Sequence, residues 1–426
     1  MTDRPAHPGT GRLGLPTASA LYVAAVLGTG ILLLPGFAAA AAGPGSVIGV
    51  GVVLVLSIPL AGAFAALAAR HPDAGGVATF VRLALGPTAA RAAGYWFLFG
   101  AGMGAPVVAV LGGSYLTAVT GIDPAWVPLI GLPFLLVPIV LAVFGLRFSG
   151  RVQLVLTALL LAVVVLVVAS ALPHARPHPF TPLLPHGWAG VGVVISLFVW
   201  AFAGWEAVTH LAAEFRRPHR VIPLATAIAV AVVGVSYLAL QVATVVVMPA
   251  RSAPSTVPLL DLTARTLPGV GPAIVAAIAV IVVLGVLNAY VPAMANLAAS
   301  LGRDGHLPRW FARGAEAGAV PRRGVALVAV VCLGYTAAYF LLRIDLQVLV
   351  LVQTSSLVAV YLAGMVAAVR LLPRWTPGWW MACAGVVLTA GLAVLAGWHL
   401  VAPAALALVA AAVTIARRIR LHRRGG

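Results

Sequence analysis

The sequence predicts an all-α polytopic membrane protein of about twelve transmembrane helices. Three observations predict it. Of 426 residues, 62% are hydrophobic and only 8% are charged, against roughly 25% charged in an ordinary soluble domain. Mean hydropathy is +1.10. The apolar residues come in continuous runs rather than in alternation, which argues against a strand barrel. So few charges cannot cover a water-facing surface, and a soluble enzyme is excluded. At roughly 20–22 apolar residues per span, the hydrophobic share fills about twelve helices and leaves little for any other domain.

In chain order, spans are expected at 15–40, 46–69, 92–119, 126–146, 152–172, 189–211, 222–248, 272–300, 325–342, 346–370, 379–397 and 399–416. A tight turn near Trp398 divides the last two. Residues 1–14 form a polar tail without the apolar stretch of a cleavable signal peptide. The spans group into a first five-helix repeat (15–172), an outer loop (173–187), a second five-helix repeat (188–372) and two further helices (373–416), followed by a basic tail (417–426). The basic stretch 301–324, with Trp310 and Phe311, is expected at headgroup level.

The charges report topology. All 26 basic residues are Arg, against nine acids, for a net charge of +17. In a soluble protein this balance would suggest nucleic acid; here the arginines flank spans, and no nucleic-acid partner is expected. With the N-terminus in the cytoplasm, 22 arginines fall on inner loops, and only Arg176, Arg251, Arg265 and Arg343 fall outside. Positive charge concentrates on the inner side in this way, so both termini are expected in the cytoplasm. Cys332 and Cys383 sit in apolar runs and read as small core residues. His174, His178 and His186 share the outer loop, but Pro177 and Pro179 break any helix that would align them. No metal site and no cofactor are expected.

Glycine and charge inside spans mark the candidate site. Span 1 carries Gly28, Thr29 and Gly30 near its middle, with Pro35 beyond; span 6 carries Gly204 and Glu206 in its interior. Taken singly, such glycines most often serve close helix packing. Their pairing is more informative. Spans 1 and 6 open two five-span units, and an odd number of spans inverts the second unit relative to the first. Helix breaks at matching positions of inverted repeats mark a transporter's central site. An unwound helix frees N–H groups at one new end and carbonyls at the other. The N–H end holds a carboxylate, and the carbonyl end holds an ammonium group. A zwitterionic amino acid is therefore recognised without a charged side chain.

Glu206 is the acid well inside a span, where a charge costs about 2.5–3.5 kcal/mol. It reads as a proton-linked or gating group, or as a structural carboxyl bonded to unwound backbone. His210, four residues on, lies on the same helix face and either shares a proton with Glu206 or packs at the pore edge. Trp200 is a lid over an apolar substrate or a packing residue. Asn288 and Tyr290 in span 8, with Asn296, line a polar path or bond across helices. The same choice holds for Gln353, Thr354, Ser355 and Ser356 in span 10, where packing is favoured.

Four motifs carry a family resemblance: LGTGILLLPG at 27–36, RHPDAGGVATFVRLALG at 70–86, FVWAFAGWEAVTHLAAEFRRPHRVIPLA at 198–225 and LGRDGHLPRW at 301–310. With these the chain resembles the amino acid–polyamine–organocation (APC) superfamily of transporters, and within it the bacterial exporters of L-methionine and branched-chain amino acids. The resemblance implies a leucine-transporter-like 5+5 inverted repeat with broken helices 1 and 6, in a bacterial cell membrane. It implies that Gly28, Thr29 and Gly30 receive the substrate carboxylate, and that backbone at Trp200, Ala201 and Ala203 receives the amino group. Trp200 then matches an aromatic gate, and Glu206 a span 6 glutamate tied to proton sensing or to holding the broken helix. Departures are also present. Arg70 stands where many members carry Glu, span 5 lacks the Lys of some proton-coupled relatives, and 274–299 contains no Ser or Thr for sodium.

The function expected is secondary active transport of neutral apolar amino acids, as an exporter using proton antiport and alternating access. The alternative is proton-coupled uptake or amino acid exchange. A membrane-embedded enzyme would need clustered nucleophiles, acids or metal ligands, and only Glu206 with His210 offers itself. A channel would need rings of repeated polar positions. Expected partners are the amino acid, protons and the lipid bilayer, and a homodimer is compatible.

Overall fold

The computed structural model describes residues 13–145, 150–201, 204–248, 258–316, 319–344 and 346–422. They form helices α1 (Leu15–Leu27), α2 (Gly30–Ala42), α3 (Ser46–Arg70), α4 (Val77–Leu85), α5 (Pro87–Tyr95), α6 (Gly104–Thr120), α7 (Val127–Val143), α8 (Gly150–Ala171) and α9 (Gly187–Ala201). The second half comprises α10 (Trp205–Thr209), α11 (Pro218–Val247), α12 (Pro258–Thr266), α13 (Gly271–Arg303), α14 (Arg322–Leu341), α15 (Leu346–Leu371), α16 (Pro377–Ala396) and α17 (Val401–His422). Among the described residues the only β pairing is a single bridge between Leu13 and Phe215.

Among the described residues, ten helical stretches are long and apolar enough to cross a membrane. Spans 1 and 6 do not count by that measure, because each is broken. Span 1 stops at Leu27 and restarts at Gly30; span 6 stops at Ala201 and restarts at Trp205. Gly28 has φ +41° and Gly204 has φ +135°, conformations that cost a side-chain-bearing residue about 1–3 kcal/mol. Glycine lets the chain leave the helix at these two points.

The broken helices occupy the centre. α1 is largely apolar and buried over most of its length, because α8, α10, α11 and α13 surround it. α13 is buried almost continuously from Val286 to Gly302. The outer helices bare their large side chains instead: Val55, Val140, Val165, Val330, Val387 and Leu408 are exposed. That is the pattern of a bundle whose exterior meets lipid.

Three features depart from simple spans and short loops. The loop after span 2 carries the amphipathic helix α4. The connection between spans 7 and 8 carries α12, packed against α2, α8 and α13. Span 3 loosens between α5 and α6 into a π-helical stretch, Trp96–Gly100, and a 3-10 turn, Ala101–Met103. Such loosening clusters at functional sites, and here it adjoins the central cavity.

Candidate substrate site between two helix breaks

The two breaks touch. A side chain at Gly204 would place its Cβ 2.7 Å from the Ala25 carbonyl oxygen and 3.1 Å from Val26 Cγ2. Only glycine lets the second break pack against the last turn of α1. The carbonyls loosened around the first break are partly claimed by neighbours. Tyr237 donates to the Leu27 carbonyl at 2.7 Å, and Tyr115 donates to that of Leu32.

The amide ends of the two breaks differ. At the second, the Gly204 N–H donates to Glu206 Oε2 at 2.9 Å and also points at Tyr361 Oη at 3.0 Å. Tyr361 donates to the same carboxylate oxygen, and Tyr290 donates to Oε1 at 3.2 Å. Glu206 is fully buried, and it fills the N-terminus of its own helix fragment. At the first break, Thr29 precedes α2 but its side chain makes no cap. The Leu32 N–H already donates to the Thr29 carbonyl at 3.1 Å, and the N–H groups ahead of it have no partner within the helix.

Gly28, Thr29 and Gly30 line a small cavity of about 50 Å³. Its other walls are Ala101, Gly104, Ala105 and Val108 of span 3, Val286, Leu287, Tyr290 and Met294 of α13, and Gln353 of α15. None of these lining residues is charged. Tyr290 thus touches both the cavity and Glu206, and it connects a site that has no carboxylate to a carboxylate just behind it.

The structure sorts the sequence-derived residues. Gly28, Thr29, Gly30 and Tyr290 meet at the cavity, with Glu206 one hydrogen bond away. Asn288 does not join Tyr290 on one polar path. Two residues on a helix are about 200° apart, and Asn288 faces α8, donating to Gln153 Oε1 at 2.5 Å. His210 does not pair with Glu206. α10 ends at Thr209, so the four-residue face-sharing expected of a continuous helix is lost. The His210 ring lies 4.6 Å from that of Phe97 and packs beneath Gly76, where a Cβ would fall 2.5 Å from its Nδ1. Ala203 and the side chains of Trp200 and Ala201 lie outside the described residues.

Residues that sequence reasoning passed over complete the picture. Tyr361 gave no signal in an apolar span. Gln353, open in the sequence between a polar path and packing with packing favoured, lines the cavity. Ala101, Gly104 and Ala105 are small because span 3 forms a wall there.

At the end of the bundle that carries the N-terminus, the turn after span 2 is tied to α13. Arg303 Nη2 donates to both oxygens of Asp73, at 2.9 and 3.0 Å. The Gly75 N–H and Thr79 Oγ1 donate to Asp73 Oδ1 at 2.8 and 2.7 Å. Burial pushes the Asp73 carboxyl up, but the Arg303 guanidinium and these hydrogen bonds outweigh it and hold the carboxyl below its usual range. Nearby, Asn296 donates to Glu214 at 2.9 Å, and backbone hydrogen bonds join Leu13 to Glu214 and Arg216. These contacts tie this end of the bundle together.

The family model described as amino acid permease matches residues 13–417. The chain belongs to the amino acid permease family. This permease is 31% identical over 389 residues to the uncharacterized amino acid permease YecA of Bacillus subtilis, covering 91% of this chain and 92% of that one. It is 28% identical over 369 residues to the L-methionine/branched-chain amino acid exporter YjeH of Escherichia coli, covering 84% and 86%. Two solved transporters share the fold. MhsT in complex with L-phenylalanine superposes with a TM-score of 0.63 at 13% identity, covering 93% of this chain and 100% of that one. A Na+-coupled sialic acid symporter in a substrate-bound outward-open state gives 0.60 at 14%, covering 91% and 90%. The permease is thus an amino acid transporter with the leucine-transporter-like fold, a multi-pass membrane protein and not an enzyme.

Proposed function

We propose that this permease exports neutral apolar amino acids of the methionine and branched-chain type, by alternating access coupled to proton antiport. One observation carries the reading. The uncapped first turn of α2 stands at the wall of a cavity whose lining residues include no charge. Backbone N–H groups there receive the substrate carboxylate at Gly28, Thr29 and Gly30. The ammonium group goes to backbone at Trp200, Ala201 and Ala203, and the Trp200 ring closes over the side chain. Val108, Val286, Leu287 and Met294 offer that side chain an apolar surface.

Glu206 supplies the coupling. As a carboxylate it accepts from Gly204, Tyr361 and Tyr290 and fixes the second break. Protonated, it gives up part of this acceptor capacity, which loosens the Gly204 tie and, through Tyr290, alters the cavity wall. Export as the direction is supported by the resemblance to YjeH. In the same reading the protein sits in a bacterial cell membrane with both termini cytoplasmic, so the Asp73–Arg303 end faces the cytoplasm.

The test is transport by purified protein in proteoliposomes loaded with a mixture of amino acids, under a proton gradient of either sign. Methionine, leucine, isoleucine and valine are expected to move against the proton flux. Movement with it, into everted or right-side-out vesicles, replaces export by proton-coupled uptake. Movement of no amino acid contradicts the reading.

A further inference from the structure

Gln353 is the polar side chain that α15 contributes to the cavity. Its Oε1 is buried and has no hydrogen-bond partner among the described residues. A buried acceptor left unpaired is costly, and in a binding site such a group selects a ligand that pairs with it. The wall opposite is cut back to make room for the amide. A Cβ at Gly104 would fall 2.3 Å from Gln353 Nε2 and 2.8 Å from Oε1. Around it are Ala101, Ala105 and Met294, which offer no competing donor. The adjacent Thr354 and Ser355 are spent on their own helix, bonding the carbonyls of Val350 and Val352; Gln353 is not.

We propose that Gln353 makes this cavity take neutral amino acids whose side chain ends in a hydrogen-bond donor, above all a carboxamide, beside the purely apolar ones. A linear side chain of glutamine length pairs reciprocally with an amide: its N–H donates to Gln353 Oε1 and its carbonyl accepts from Nε2. The inference rests on the amino acid site proposed above and widens its substrate class.

The experiment is competition. Uptake of labelled leucine into proteoliposomes is challenged with unlabelled glutamine or unlabelled leucine, for the native protein and for Gln353→Leu. Glutamine is expected to compete in the native protein and, in Gln353→Leu, to lose about tenfold to a hundredfold relative to leucine measured in the same variant. Gly104→Ala, whose Cβ displaces the amide, is expected to lose glutamine in the same way. Ligand-dependent thermal stabilisation in detergent gives a readout that needs no transport, and stabilisation by leucine shows that each variant is folded. If glutamine neither competes with nor stabilises the native protein, or does so equally in Gln353→Leu, the inference is overturned. If glutamine stabilises the native protein and not Gln353→Leu while no leucine or methionine is carried, this inference stands and the apolar substrate class falls.

Discussion

The break in span 1 and the break in span 6 are built from the same residue type and end differently. At Gly28–Thr29 the backbone opens toward a cavity, and α2 begins without a side-chain cap. At Gly204 the backbone opens toward Glu206, and the protein's own carboxylate takes the amide that would otherwise be free. On the function proposed above, one amide end is left for a ligand's carboxylate, while the other is occupied by Glu206. That proposal separates recognition from coupling, and Tyr290, which borders both the cavity and Glu206, joins them.

The largest effect is expected where the breaks touch. Gly204→Ala puts a Cβ 2.7 Å from the Ala25 carbonyl and adds backbone strain of about 1–3 kcal/mol. A marked fall in thermal stability in detergent and loss of transport are expected. A stable, active Gly204→Ala protein would break the contact on which the comparison depends. Gly28→Ala meets only ordinary contacts, its nearest atom being the Ala25 carbonyl oxygen at 3.4 Å, yet carries the positive-φ strain. It is expected to stay folded and to lose substrate affinity more than stability, as read by ligand-dependent thermal shift.

Next is the carboxylate. Glu206→Ala strands the hydroxyl protons of Tyr361 and Tyr290, at about 1–3 kcal/mol for each buried group left unpaired, and leaves the Gly204 amide only Tyr361 Oη. Glu206→Gln keeps an acceptor there and is expected to fold, carry substrate by exchange and lose the pH dependence of net transport. The Asp73–Arg303 tie provides the control. A carboxyl held below its usual range keeps its contribution at neutral pH and loses it only as pH falls through that lowered value. Asp73→Asn is therefore expected to shift the balance between facing states while leaving the pH dependence near neutrality intact. If Asp73→Asn abolished that dependence and Glu206→Gln did not, the assignment of coupling to the second break would be reversed. The smallest effect is expected for Tyr290→Phe, which removes one of three hydrogen bonds to the Glu206 carboxylate, at 3.2 Å, and keeps the cavity wall. About 1.5 kcal/mol is at stake, a slowing of about tenfold.

Much of this was legible in sequence for identifiable reasons. The span pattern follows from continuous apolar runs, and the two breaks from glycines beside a polar or charged residue at matching depths. Glu206 stood out because a charge in an apolar span is costly. What was not legible depends on rotation about helix axes and on local irregularity. Asn288 and Tyr290 look alike in the string but point to opposite sides of α13. His210 sits at helical spacing from Glu206, but α10 ends one residue earlier. Tyr361 and Gln353 acquire roles only because α15 turns them toward the second break and the cavity. The π-helical stretch of span 3 and the helix α12 leave no periodic signature strong enough to read.

The central claim is that the first break receives the substrate carboxylate through backbone alone. It is tested most directly by binding of methionine against methioninamide to the purified protein, measured by calorimetry at one pH. A charge-assisted set of hydrogen bonds contributes about 1.5–3 kcal/mol, so methioninamide is expected to bind about tenfold to a hundredfold more weakly, and Gly28→Ala to narrow that gap. Equal affinity for methionine and methioninamide in the native protein would contradict the account.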